Sequence, residues 1–298
     1  MVRKLNRRQF ITRSLTGAVA LGAGIGSLRC APAYNIVDKV SLGSTGLMVP
    51  RLAIGTGTRG SGGQTNQTRM GISGFVKLAR HAYERGLKFF DTADMYGSHP
   101  FVREILKDVP REDTILLSKM WPHPRGGESP QPVPETLDRF RTETGSDYFD
   151  IMLLHYQRSR EWPEEMKEQM EALSRAKQDG IVRKVGVSCH SLEALKTAAE
   201  EPWVEVIMAR INPYGTHMDA SPDEVMPVLE TARKNGKGVI GMKIFGEGAL
   251  VSDEERQNSF NYTVNNPNIH CLTLGLESAE EVDDAVNRVM ALSTRGCC

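Results

Sequence analysis

Short apolar runs and amphipathic stretches take turns along most of the chain. The runs are "RLAIGT", "LKFFDTAD", "TILLSKM", "DIMLLHY", "VRKVGVS", "VEVIMARIN", "GVIGMKI" and "HCLTLGL", the last seven ending near residues 94, 120, 156, 188, 212, 244 and 276. Between them lie patterns of helical period, among them 72–86, 163–180, 222–236 and 278–292, several opening on Asp, Ser or Pro and closing on Gly. Near-continuous apolar strands are buried on both faces, as in a parallel sheet covered by helices. Eight such units in about 250 residues predict an α/β fold, a (β/α)8 TIM barrel; an open doubly wound sheet is the other arrangement the pattern allows. Ahead of the first barrel strand, "VSLGSTGLMVP" reads as a β-hairpin. No linker or change of composition interrupts residues 34–298, which are therefore expected to form one domain.

Residues 1–33 break the pattern. They hold Arg3, Lys4, Arg7, Arg8, Arg13 and Arg29 and no acid, so the neutral whole hides a remainder of 31 basic and 37 acidic residues. The zero net charge of the whole gives no sign of a nucleic-acid surface or a polyanionic partner. A basic start, a Gly/Ala-rich apolar stretch and Ala31-Pro32-Ala33 have the build of a signal peptide, too short and too glycine-rich for a stable membrane span. "NRRQFIT", with Arg7, Arg8 and Phe10, resembles a twin-arginine (Tat) export signal. That resemblance implies the Tat machinery as a partner and a periplasmic or other extracytoplasmic destination. An uncleaved basic arm, leaving the protein cytoplasmic or tethered to a membrane, is the alternative. Cys30 follows an arginine, which does not suit a lipidation motif, and the remaining cysteines have neither metal-site nor disulfide spacing. The Cys297-Cys298 pair ends the chain, where fraying is common, and metal binding or oxidation is its other reading.

The apolar runs finish alike. Asp91, Lys119, His155, Ser188, Asn212 and Lys243 each close one at its C-terminal end. In a barrel these ends share one face, where active sites are built. A phenol near pKa 10 is a poor proton donor at neutrality. An ammonium about 4 Å away stabilises the phenolate by up to about 4 kcal/mol at an effective dielectric near 20. Tyr96, five residues beyond Asp91, would thereby become a usable acid, with Asp91 holding Lys119 charged and His155 orienting a substrate oxygen.

"DTADMYG", "LLSKM" and "LLHYQ", in this order, resemble the signature of the aldo-keto reductases, (β/α)8 enzymes that move hydride between a nicotinamide and a carbonyl or alcohol. The similarity runs over nearly all of residues 38–292. It implies Tyr96 as general acid/base, Lys119 as its modulator, Asp91 as the lysine's partner and His155 as the orienting residue. It also implies NAD(P)H as cofactor and a small carbonyl compound or alcohol as substrate. Gly55, Thr56, Asp91, Ser188, Cys189 and Asn212 would then lie near the nicotinamide. Lys243, Ile244, Phe245, Gly246 and Gly248 would follow the pyrophosphate, and Glu277 and Ser278 the ribose end. Trp121 and Tyr156 are expected as pocket walls.

The sequence departs from that signature in places. Ser188-Cys189 stands where Ser-Asn is usual, Met242 replaces a stacking aromatic residue, and "GLESAEEVDD" (275–284) has five acids and no base near the expected 2′-phosphate. A binding-only sensor or partner subunit on the same barrel is the rival reading, although it has no use for all four catalytic-type residues.

Overall fold

The computed structural model describes residues 39–294, with 61, 126 and 127 excepted. The leader with Arg7, Arg8 and Cys30, and the terminal Cys297-Cys298, lie outside the described residues.

A two-stranded antiparallel hairpin, β1 (Lys39–Ser41) and β2 (Met48–Pro50), comes first. Eight parallel strands follow: β3 (Leu52–Gly55), β4 (Phe89–Asp91), β5 (Ile115–Met120), β6 (Phe149–Gln157), β7 (Val182–Cys189), β8 (Val206–Arg210), β9 (Gly238–Met242) and β10 (Cys271–Gly275). They close in the order β10-β3-β4-β5-β6-β7-β8-β9, so the barrel reading holds and the open sheet is excluded.

Strand alternation sorts the apolar residues into two layers. Ala53, Phe89, Leu117, Ile151, Leu153, Met208 and Ile240 fill the barrel, joined by Leu42, Leu47 and Val49 of the hairpin. Ser44 N–H donates to Gly236 O at 2.8 Å, which seats the hairpin under the start of β9 and plugs the end away from the strand C-termini. The outward residues, such as Phe90, Met152 and Val187, pack on Phe75, Phe140 and Leu195 of the surrounding helices. One glycine is required by the approach of two strands: a Cβ on Gly186 would sit 1.8 Å from Val206 O.

The helices expected from periodicity appear as Gly71–Glu84, Pro222–Lys234 and Ala279–Thr294. The stretch expected at 163–180 is divided into Trp162–Glu165 and Lys167–Gln178, because Met166 leaves helical geometry at φ −107° and ψ 16°. Two starts are clamped by reciprocal Ser/Glu caps, Ser221 with Glu224 and Ser252 with Glu255, each worth about 0.5–2 kcal/mol. Among the described residues no helix is long and apolar enough to cross a membrane.

Candidate active site

The C-terminal ends of β4, β5 and β6 bring Asp91, Lys119 and His155 to one face. Lys119 is 1% exposed; its ammonium pairs with Asp91 Oδ1 and donates to Thr92 O at 2.8 Å. The other oxygen of Asp91 accepts from Thr273 Oγ at 2.8 Å. A buried carboxylate is thus tied on both sides, as burial of a charge requires. Burial disfavours the ammonium, yet Asp91 and then Tyr96 outweigh it, so Lys119 titrates above its ordinary value.

Tyr96 ends a single 3₁₀ turn, Asp94–Tyr96, on the loop after β4. Its ring lies 4.8 Å from the Lys119 ammonium, centroid to nitrogen, and edge-on to His155 at 5.9 Å. Gly57 makes room for it, since a Cβ there would come within 2.3 Å of the ring. Burial pushes the phenol up, Lys119 pulls it down and Asp91 pushes it up again, with a raised result. Lys119 acts in the expected direction, but the net lowering expected from the lysine alone is corrected: desolvation is the larger effect.

His155 sits on a bulge. The register of β6 on β7 shifts between Leu154 and Gln157, and Tyr156 takes a left-handed φ of 67°. Ser188 Oγ accepts the Tyr156 N–H at 2.9 Å, and His123 Nε2 lies 3.2 and 3.1 Å from the carbonyls of His155 and Tyr156. The bulge turns two successive side chains toward one end of the barrel, a common use of such irregularities near active sites. Burial, then Lys119, His190, Lys243 and His123, hold His155 well below the ordinary imidazole value, so it is neutral. Its Nδ1 is buried without a partner, as are His190 Nδ1 and Trp121 Nε1. Trp121 stacks on Tyr156 at 5.6 Å and meets His155 edge-on at 5.7 Å; Tyr156 touches His190 at 4.4 Å. Both expected wall residues therefore stand beside His155.

The expected cofactor residues divide into those that face this end and those the fold uses elsewhere. Gly55 ends β3 beside Asp91, and Thr56 donates to Asp91 O at 2.9 Å while sharing a hydrogen bond with Ser98. Lys243 and Glu247 form an ion pair within a turn where both have left-handed φ, 57° and 55°, beside Gly246 at 53° and Gly248 at 90°. All five left-handed non-glycine residues among those described, Arg59, Tyr156, His217, Lys243 and Glu247, lie on this face. Such strain gathers at functional sites.

Cys189 and Ile244 require correction, and the remaining positions have partners within the fold. The Cys189 side chain is buried in the layer between barrel and helices, its thiol pushed far up by burial, so its side chain does not face the site. Ile244 belongs to that layer too, and Phe245 packs edge-on to Phe260 at 5.4 Å. Asn212 staples its own loop, accepting from Tyr214 N and Thr216 N at 3.1 Å and donating to Thr216 O at 2.8 Å. Glu277 accepts from Asn66 Nδ2 at 2.8 Å, and Ser278 Oγ accepts the Glu281 N–H at 3.2 Å as a helix cap.

Asp94, which opens the Tyr96 turn, is clamped by Arg139 through two bonds of 2.9 and 3.1 Å. Arg139 also binds Glu143, which accepts from His99 Nδ1 at 2.8 Å, and His99 Nε2 reaches Ser118 Oγ at 2.8 Å. Ser118 adjoins Lys119, so this chain ties the Tyr96 turn to β5. Thr273, His123, His190 and Gly57 are further contributors absent from the sequence reading. Among the described residues no group of three or more His, Cys, Asp or Glu is arranged to hold a metal ion.

A family model described as the aldo/keto reductase family matches residues 51–293. An L-galactose dehydrogenase from Arabidopsis thaliana is 25% identical over 297 residues, which spans 87% of this chain and 90% of that protein. An aldo-keto reductase from Bacillus halodurans, in its holo form, superposes with a TM-score of 0.67 at 19% identity, over 88% of this chain and 96% of its own. One from Klebsiella pneumoniae, in complex with NADP and acetate, gives 0.63 at 18%, over 85% and 90%. At these identities the structural likenesses speak for the fold alone.

Proposed function

The chain belongs to the aldo/keto reductase family, and from that membership we propose that it is an NAD(P)H-dependent oxidoreductase of aldehydes, ketones or the corresponding alcohols, with Tyr96 as its general acid/base. The observation that carries this reading is the buried Asp91–Lys119 pair beside the face of Tyr96, with neutral His155 against the ring's edge. Tyr96 gives its phenolic proton to the carbonyl oxygen as charge develops there, and takes it back in the reverse direction. Lys119 makes the departure of that proton easier, and Asp91 keeps the lysine charged. His155, uncharged, orients the oxygen by a hydrogen bond without competing as an acid. Trp121 and Tyr156 wall the substrate side and exclude water.

The residues present suit a nicotinamide dinucleotide. Lys243 offers an ammonium beside the left-handed turn at Gly246–Gly248, and a Cβ on Gly248 would meet nothing within 4 Å, leaving open space for a phosphate. Ser188, whose oxygen accepts from Tyr156, retains its own proton for a carboxamide oxygen. When bound, the reduced nicotinamide supplies the hydride that no side chain can. Steady-state NAD(P)H consumption with a panel of aldehydes tests the reading; inertness toward all of them, with either cofactor, would leave a binding protein.

We expect NAD(H) to be used at least as well as NADP(H). A 2′-phosphate beside Glu277 meets unfavourable charge, on the order of 1–3 kcal/mol at intermediate dielectric, while the same carboxylate accepts from ribose hydroxyls. Arg69 stands one residue removed, its Nη1 donating to Asn66 at 3.0 Å. A kcat/KM preference for NADPH beyond about tenfold would reverse this assignment, and Arg69→Gln would then be expected to abolish that preference.

We also propose export of the folded, cofactor-loaded protein by the Tat route. Replacing Arg7 and Arg8 with lysine should retain the protein in the cytoplasm, as read by fractionation. Arrival of the doubly substituted protein in the periplasm would exclude a Tat signal.

A further inference from the structure

Asp91 and Lys119 sit within strand ladders and His155 on a pinned bulge, so the barrel itself holds three of the four residues at the reacting end. Tyr96 has no such support. It ends a three-residue turn closed by two backbone hydrogen bonds, Tyr96 N–H to Ala93 O at 3.0 Å and Gly97 N–H to Asp94 O at 3.4 Å. Gly63 N–H adds one bond of 3.2 Å to Met95 O from the preceding loop. So short a turn does not by itself hold a phenol to the precision that proton transfer needs.

One helix grips the chain on both sides of Tyr96. Val133–Thr144 carries Arg139 and Glu143 four residues apart, hence on one face. Arg139 holds both oxygens of Asp94, two residues before Tyr96, and Glu143 holds His99 Nδ1, three residues after it. Arg139 also binds Glu143 at 3.1 Å, so the two grips are one unit. The helix is rooted beneath them: Phe140 is fully buried, lies edge-on to His99 at 4.5 Å and to Phe149 at 6.3 Å, and carries the guanidinium 4.9 Å from its ring. The other nitrogen of His99 shares a hydrogen bond with Ser118, the residue before Lys119. Tyr96 and Lys119 are therefore placed relative to the same helix.

An exposed ion pair of a single bond contributes little, but this one is a two-bond fork, partly buried and extended by Glu143 and His99. Burial disfavours the charge on both Arg139 and Glu143, and their partners outweigh it, Asp94 foremost for the arginine and His99 for the glutamate. Both stay charged at neutral pH.

We infer that Arg139 is a positioning residue for proton transfer: through Asp94 on one side, and Glu143 and His99 on the other, it holds the turn that aims Tyr96 at the carbonyl oxygen. The inference rests on the reading of Tyr96 as general acid/base. Arg139→Gln in the full chain, assayed with the aldehyde it uses best, should lose about tenfold or more in kcat, with KM and NADH affinity unchanged. Deuterium exchange at residues 93–98 should quicken while the barrel strands keep their protection. Arg139→Lys keeps the charge but not the fork and should regain only part of the loss. Asp94→Asn should resemble Arg139→Gln, and the double variant should be no worse than either, because one contact is removed twice. A kcat for Arg139→Gln within about twofold of the unaltered protein, a loss carried by KM alone, or multiplied losses in the double variant would overturn the proposal. Exchange separates it from the reading beneath it. Faster exchange at 93–98 in Arg139→Gln, in a protein inert toward every aldehyde, would support the hold on the turn and refute the reductase reading, whereas unchanged exchange there would refute the hold.

Discussion

Tyr96→Phe should lower kcat for carbonyl reduction by about 10²-fold or more while leaving nicotinamide binding in place. The substitution removes one oxygen and keeps everything that packs: the ring against Gly57, its edge toward His155 and its face toward the Lys119 ammonium. Stability should therefore change little, and the loss can be assigned to proton transfer. The pH profile gives a second readout. Because burial leaves the phenol raised, its protonated form persists above the ordinary value near 10. Reduction, which needs the proton, should be level through neutrality and into alkaline pH. Alcohol oxidation, which needs the phenolate, should still be climbing at pH 10 and show no phenol-dependent rise in the variant. Turnover of Tyr96→Phe within about fivefold of the unaltered protein would remove Tyr96 from the mechanism.

The barrel was legible because parallel strands buried on both faces leave unbroken apolar runs, and a polar residue ending such a run stands out. Asp91, Lys119 and His155 were visible for that reason, and Tyr96 by its distance from Asp91. What resisted reading depended on partners distant in sequence. Arg139 clamps Asp94 from 45 residues away, and no local pattern joins them. Nothing in "LLHYQ" announces that Tyr156 is left-handed, because tyrosine seldom takes that conformation and the bulge is held by Ser188 and His123. Asn212, Glu277 and Ser278 were legible as polar residues after strands, but not the partners that engage them nearby, in a loop staple, an Asn66 contact and a helix cap. Cys189 follows Ser188 directly, and strand alternation turns it to the opposite layer. The phenol illustrates the remaining limit, since an adjacent lysine can be read from sequence but the desolvation opposing it comes only from packing.

Lys119→Met should damage stability and catalysis together, and a second substitution should separate the two losses. Methionine has nearly the length of lysine and fills the site without charge. Asp91, 5% exposed, would then retain the Thr273 hydroxyl but lose its cation, and removing one partner of a buried pair costs about 3–5 kcal/mol. In the unaltered protein the lysine's raised pKa makes its stabilisation complete below its ordinary value near 10.4 and lost as pH rises through the folded value. The deficit of the variant should thus be full at neutral pH. Adding Asp91→Asn removes the orphaned charge while keeping an acceptor for Thr273, and most of the stability should return, because neutral replacements of buried pairs are often well tolerated. Activity should not return with it: Tyr96 would still lack the one cation that draws its pKa down and would lose its proton less readily. Urea unfolding and kcat/KM on the single and double variants make the comparison. Recovery of activity in parallel with stability would reduce Lys119 to a structural prop and leave the acidity of Tyr96 without a cause.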